Sequence, residues 1–232
     1  YCFAHRGAMG YEPENTLAAF SKALDLGVTW VEADVHSVEG ELFVIHDDRL
    51  DRTTNGTGRV SDSSVAYLRT LDAGNGQRIP LLSEVLELLD ARAGVNIELK
   101  GEGTSRPVAE SIEEVLANSN WRSDQFLVSS FDQPSLLDFR KRMPAIRVGA
   151  LTAGIPLDYA AFGEALGAWS VHASLEFVNE DFVADAHKRG MRFFVYAVND
   201  EDDLSRVRRM GVDGIFTNYP DRFCRSTLVE SA

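Results

Sequence analysis

Four short stretches of this sequence put groups that could handle protons, cations and anions close together: His5-Arg6, Glu32-Ala33-Asp34, His46-Asp47 and Glu98-Leu99-Lys100. Residues two apart on a strand share a face, so Glu32 stands beside Asp34, and Glu98 beside Lys100, wherever these stretches are extended. Buried carboxylates need a cation between them. Glu32, Asp34 and Glu98 make an all-oxygen set suited to Mg²⁺ or Ca²⁺ and not to zinc. The bland alternative is a strand-end salt bridge for each acid. It suits a single carboxylate better than three at matching strand ends.

Two imidazoles with an ordinary pKa near about 6.5 could divide the proton work, one taking and one giving. Alone, His46 would be an ordinary loop histidine and His5 an ordinary strand-end residue. Their shared position beside the acids makes them the candidate catalytic pair. Arg6 and Lys100 supply positive charge, and such cations together with a metal stabilise charge on phosphoryl oxygens. A phosphate ester is the substrate class this combination fits. His36 shares parity with Glu32 and Asp34 and is a weaker candidate. His187 reads as a solvated helix end, and His172, closing another strand, reads as a pocket lining outside the chemistry.

The elements that must position these groups are legible as short β-rich runs at 2–5, 30–35, 95–99, 126–130, 146–150, 168–172, 192–198 and 213–217. Amphipathic helical patterns alternate with them, such as Leu17, Phe20 and Leu24. Gly27, Gly94, Gly167, Gly190 and Gly211 stand where helices would close before the next strand. This alternation predicts a TIM (β/α)8 barrel, with a doubly wound open sheet as the competitor. The number of strands and the lack of a GxGxxG turn after the first favour the barrel. In a barrel the active site lies at the C-terminal strand ends, where all the groups above fall.

One interval breaks the rhythm. From Trp30 to Val95 the chain runs well beyond the roughly 30 residues of a βαβ unit. Residues 41–46 read as a further strand, and four residues cannot make a parallel crossover, so 30–46 is expected to be an antiparallel hairpin. The turn-rich stretch that follows could cover a pocket. The expectation is one barrel domain over 1–232 with an insertion at about 37–80.

Composition limits the partners. Of 232 residues, 23 are Lys or Arg and 36 Asp or Glu, and the net charge of −13 argues against nucleic-acid or anionic-membrane binding. No run of about 18 apolar residues or signal peptide is visible, so no stable membrane insertion and a cytoplasmic location are expected, although the chain begins with Tyr1 and not Met. Cys2 and Cys224 match no metal or redox spacing and set no compartment. Asn55-Gly56-Thr57 matches a glycosylation sequon by chance. No GxSxG, P-loop or HExxH is present.

Taken in order, HRG at 5–7, PENT at 13–16, EAD at 32–34, HD at 46–47, DRTTNGTGRV at 51–60, ELK at 98–100 and DGIFTNYP at 213–220 resemble the glycerophosphodiester phosphodiesterase family, in its compact bacterial form. The resemblance implies a barrel of the phosphatidylinositol phospholipase C type and hydrolysis of glycerophosphodiesters to sn-glycerol 3-phosphate and an alcohol. It also implies Glu32, Asp34 and Glu98 as ligands of one Mg²⁺ or Ca²⁺, His5 and His46 as the acid and base pair, and Arg6 and Lys100 as phosphate contacts. Attack by water and attack by the glycerol 2-hydroxyl both remain open, as does the choice of acid and base. This chain carries YAVN where many relatives have a WTVN-like run, so Tyr196 replaces a Trp as an aromatic wall of the substrate site. Phe131 is a second candidate wall, or else a core aromatic at a strand end.

The expected partner is a small-molecule diester, with homo-oligomerisation left open. Two other readings are a phospholipase D-like relative acting on lysophospholipids and a barrel that binds a phosphoryl ligand without turnover. The first needs an apolar channel or membrane-facing patch. The second has no need of paired proton-transfer groups.

Overall fold

The structure is a computed structural model and describes residues 1–224. Eight parallel strands close into a barrel in the order β1 (Cys2–Ala4), β2 (Trp30–Val38), β4 (Gly94–Leu99), β5 (Phe126–Ser130), β6 (Arg147–Thr152), β7 (Ser170–Ser174), β8 (Arg192–Tyr196) and β9 (Gly214–Thr217), with β9 returning to β1 and β1 pairing β2. A ninth strand, β3 (Glu41–Val44), runs antiparallel to β2 with Val35 opposite Val44 and Val38 opposite Glu41. That pairing carries β2 to Val38, past the expected end at residue 35. The strands are buried on both faces, as β4 is throughout, which is why they read as apolar runs.

Helices α1 (Leu17–Asp25), α3 (Leu82–Leu89), α4 (Ser105–Asn118), α5 (Gln133–Arg142), α6 (Ala161–Ala165), α7 (Glu180–Lys188) and α8 (Glu201–Arg209) cover the outside; α2 (Val65–Leu68) lies in the insertion, and α9 (Pro220–Phe223) follows β9. Gly27, Gly167, Gly190 and Gly211 do close helices, each at positive φ. Gly94 does not. It opens β4, where a Cβ would come within 2.8 Å of the Trp30 ring, and α3 instead ends on Asp90 and Ala91, with φ of 44° and 55°.

The core has layers. Apolar faces of the helices pack on the barrel wall, while Phe3, Leu127, Phe194 and Phe216 fill the barrel interior beneath the active-site end. The insertion has its own cluster, Phe43, Ile45, Leu50, Val60, Leu68 and Ile79 among others, so the turn-rich stretch is anchored by burial. Cys2 and Cys224 form a disulfide with Cα atoms 5.3 Å apart, tying β1 to the residue after α9. Spacing could not reveal it, because the two meet only once the barrel closes.

Candidate active site

The C-terminal ends of β1, β2, β4 and β8, with the loops after β3 and β5, bring His5, Arg6, Glu32, His46, Glu98, Lys100, Phe131 and Tyr196 around one cavity of about 430 Å³, counting its open mouth. Asp34 stands behind them. The loop after β1 is shaped by backbone geometry. Gly7 takes φ +76° with Ala19 of α1 so close that a Cβ would lie 2.6 Å from its carbonyl carbon, and Arg6 itself adopts φ 52°. This turn lets the Arg6 N–H donate to Glu32 Oε2 at 2.8 Å, while the guanidinium meets Glu14 at 2.8 Å and Asp34 at 3.3 Å.

Glu32, Asp34 and Glu98 are all buried, and one oxygen from each lies within 4.8 Å of the others. Lys100 Nζ reaches Glu98 at 2.7 Å and Asp34 at 3.7 Å. Salt bridges thus account for two acids. Among the described residues Glu32 accepts from the Arg6 N–H alone, and its Oε1 is buried without a hydrogen-bond partner. Burial, then Asp34 and Glu98, push the Glu32 carboxyl well above the usual carboxylate range. Glu98 is raised to about 7 by burial and Asp34. Asp34 goes the other way, because Arg6 and Lys100 outweigh its burial. Three buried acids share too little positive charge, and an all-oxygen set in that condition could hold a divalent cation. Arg6 and Lys100, expected as phosphate contacts, both engage these carboxylates.

The two imidazoles have different partners. His5 Nδ1 donates to the Asn218 side-chain carbonyl at 2.8 Å, which leaves Nε2 for the cavity. The Asn199 side-chain carbonyl accepts from the Asn218 backbone N–H at 2.8 Å and so anchors that residue's main chain. Burial and the neighbouring Arg6 bring His5 down to about 4, so it rests neutral. His46 Nδ1 donates to Asp47 Oδ1 at 2.6 Å. Burial lowers its pKa, with Asp34 and Asp47 working in the opposite direction. Arg52 in turn grips Asp47 and Glu14, each through two hydrogen bonds of 2.7–2.8 Å, and so ties the His46 loop to the turn before α1. His36 lies outside the cavity and donates to the His46 backbone carbonyl at 3.2 Å. His187 pairs with Asp213 on the outer surface, as a helix-end residue should.

Phe131 is 42 % exposed, which removes the core alternative, and its ring meets Tyr196 edge-on at 6.0 Å. The Tyr196 hydroxyl donates to the Thr152 carbonyl at 2.8 Å, holding the smaller aromatic in place. Sequence reasoning passed over Glu14, Asn15, Arg52, Asn96 and Asn218. The PENT motif held a usable signal: Thr16 caps α1 by accepting from the Ala19 N–H at 3.3 Å, and Asn15 Nδ2 donates to Asp34 Oδ2 at 2.9 Å.

Fixed cations and facing imidazoles around buried acids, at the end of a barrel where loops bring chemistry together, define an enzyme that works on phosphate esters. The profile of the Glycerophosphoryl diester phosphodiesterase family matches residues 5–222, and the chain belongs to that family, as a phosphoric diester hydrolase. It is 36 % identical over 228 residues to a glycerophosphodiester phosphodiesterase of Caldanaerobacter subterraneus subsp. tengcongensis, covering 94 % of this chain and 93 % of that protein. A Bacillus altitudinis glycerophosphodiester phosphodiesterase is 37 % identical, with 95 % of each covered. Among solved structures, an Oleispira antarctica phosphodiesterase in complex with the product sn-glycerol-3-phosphate superposes with a TM-score of 0.88 at 32 % identity, covering 97 % of this chain and 96 % of that one.

Proposed function

We propose that this chain hydrolyses glycerophosphodiesters to sn-glycerol 3-phosphate and an alcohol in a metal-dependent reaction, with His5 and His46 exchanging the protons. The observation that carries the metal dependence is the partnerless Glu32 Oε1 inside a buried group of three carboxylates. Glu32, Asp34 and Glu98 would hold one Mg²⁺ or Ca²⁺. Such an ion, when bound, supplies Lewis-acid neutralisation of phosphoryl charge.

The remaining work falls to the chain. His5, neutral and held through Nδ1 by Asn218, offers Nε2 as the base that takes a proton from the nucleophile, whether water or the glycerol 2-hydroxyl. His46 has a carboxylate behind it, and Asp47 favours the imidazolium that gives its proton to the departing alcohol oxygen. Once the acids have a counter-charge of their own, Arg6 and Lys100 are placed to meet phosphoryl oxygens. Phe131 and Tyr196 wall the path by which the alcohol leaves.

We read the chain as one barrel domain with an insertion at about 37–80; the barrel strands supporting that reading lie within 1–224, and the end of the expected 1–232 span lies outside the described residues. No helix among the described residues is long and apolar enough to cross a membrane. The Cys2–Cys224 disulfide favours an oxidising compartment over the expected cytoplasm, since such bonds persist where thiols are not kept reduced. A second reading, activity on lysophospholipids, is favoured by Leu157 (96 % exposed) and Ile155 (44 %), which follow β6 on the same rim as Phe131.

The deciding experiment is sn-glycerol 3-phosphate release from glycerophosphoethanolamine and glycerophosphocholine, before and after EDTA, with Mg²⁺ or Ca²⁺ restored. Release should vanish on chelation and return with one ion. Undiminished release in EDTA would overturn the metal assignment, and cleavage of lysolipids alone would select the second reading.

A further inference from the structure

β2 carries a third polar side chain that the chemistry above leaves unused. Glu32, Asp34 and His36 alternate along one face of the strand, yet His36 is buried and lies outside the cavity. A buried imidazole close to the acids but away from the substrate needs another reason to be there, and its surroundings supply one. β3 ends at Val44, and a backbone hydrogen bond from the Ile45 N–H to the Asp34 carbonyl, at 3.0 Å, extends the hairpin one residue past it. At His46 the chain leaves the sheet. There the His36 side chain takes over from the ladder, its Nε2 donating to the His46 carbonyl at 3.2 Å. Among the described residues this is the sole hydrogen bond to the main chain of His46 or Asp47; the next anchor is the Asp48 carbonyl, which accepts from the Val60 N–H at 3.0 Å. The ring is itself held. Gly101, the residue after Lys100, turns at φ +64° so close that a Cβ there would lie 3.0 Å from His36 Nδ1, and the Lys100 N–H ties that turn to the Val35 carbonyl at 2.9 Å. The imidazole is thus wedged between the loop that carries His46 and the turn that follows Lys100.

We propose that His36 is a positioning residue for proton transfer: by holding the His46 main chain where it leaves the sheet, it keeps the His46 imidazole aimed at the departing alcohol oxygen. The inference rests on the diesterase reading above, with His46 as the acid, and adds the residue that sets where that acid stands. Asp47 and Arg52 orient the ring through Nδ1, but they do not fix the Cα from which the ring hangs. The His36 hydrogen bond does, because the carbonyl it grips belongs to His46 itself. Placement to this degree matters: a shift of about 1 Å at a reacting group is enough to cost about two orders of magnitude in rate. Since His36 lies outside the cavity, its loss should weaken protonation of the leaving group and leave substrate binding in place.

The test compares two diesters that differ in their need for an acid: glycerophosphoethanolamine, whose alcohol must be protonated as it leaves, and the p-nitrophenyl ester of sn-glycerol 3-phosphate, whose phenolate leaves as a stable anion. Release of the alcohol is followed for wild type, His36→Leu, His36→Gln and His46→Ala. His36→Leu should lower kcat on glycerophosphoethanolamine by about 10- to 100-fold, the scale for a residue that orients a working group, with KM little changed. On the nitrophenyl ester its kcat should fall far less, which also reports that the variant is folded. His36→Gln, whose amide N–H reaches about as far as Nε2, should recover most of the loss. His46→Ala should show the same selectivity for the poor leaving group, and adding His36→Leu to it should slow the reaction no further. An equal loss on both esters, or no rescue by glutamine, would reduce His36 to a packing residue and overturn the proposal, as would an unchanged kcat in His36→Leu. A His46→Ala variant slowed equally on both esters would overturn it too, by removing His46 as the acid while the diesterase reading stands. Wild-type protein that cleaves neither ester sinks that reading as well.

Discussion

Glu32 shows how one atom can carry a functional argument. Its neighbours Asp34 and Glu98 are matched by Arg6 and Lys100, whereas its own Oε1 is buried and unmatched. A carboxyl whose folded pKa is raised binds its proton more tightly in the native state, so without metal it makes the fold less stable as pH rises from the unfolded value toward the folded one. Glu32→Gln should therefore melt higher than wild type in EDTA, by roughly 3–6 °C for about 1–2 kcal/mol at this chain length. The gain should be larger at pH 8 than at pH 5, and the variant should lose the stabilisation that added Mg²⁺ or Ca²⁺ gives wild type. An equal rise in melting temperature with metal for both proteins would remove Glu32 from the ligand set. The acids, imidazoles and cations were readable from the sequence because strand parity placed them on one face. Asn218 and Asn96 were not, since an amide has no distinctive spacing and takes its part from what closure of the barrel brings beside it.

Among the elements, the hairpin of β2 and β3 does more than lengthen a strand. It carries His46 back over the acids, and the loop beyond it delivers Arg52, whose guanidinium bridges Asp47 and Glu14. The hairpin followed from its four-residue turn, but the bridge joins residues 38 positions apart and had no local signal. Likewise Gly94 read as a helix end because a helical pattern precedes it, when the constraint was the Trp30 ring beside it. Arg52 is half-exposed and touches no acid of the buried set, so its loss should spare the fold. Arg52→Ala is expected to lower kcat roughly 10- to 100-fold, the usual scale for a partner that orients a working group, with KM little changed. Arg52→Lys should recover only part of that, because an ammonium cannot present the two-sided fork that serves both carboxylates. If Arg52→Ala raised KM and left kcat alone, the bridge would belong to substrate binding and not to His46.

At the scale of the molecule, closing the barrel means joining the first strand to the last, and the disulfide sits at that seam. Cys2 and Cys224 are 222 residues apart, so the bond encloses nearly the whole described chain. In the chain-entropy view, a loop of that size restricts the unfolded ensemble by the equivalent of about 5 kcal/mol at most, and native disulfides commonly contribute about 2–5. The seam also matters for chemistry: His5 follows β1 directly, and its partner Asn218 precedes α9, so the bond fixes both ends of the His5–Asn218 contact. Cys2→Ser with Cys224→Ser, or reduction of the wild-type protein, should lower the melting temperature by roughly 5–15 °C, at about 2–4 °C per kcal/mol for a chain of this size. Activity well below the melting transition should fall much less, because the Asn199–Asn218 hydrogen bond and the β1–β9 ladder remain to hold the histidine. A melting temperature insensitive to reduction, in protein shown by thiol titration to start with no free cysteine, would mean that the barrel seam is held by its ladder and aromatic interior alone.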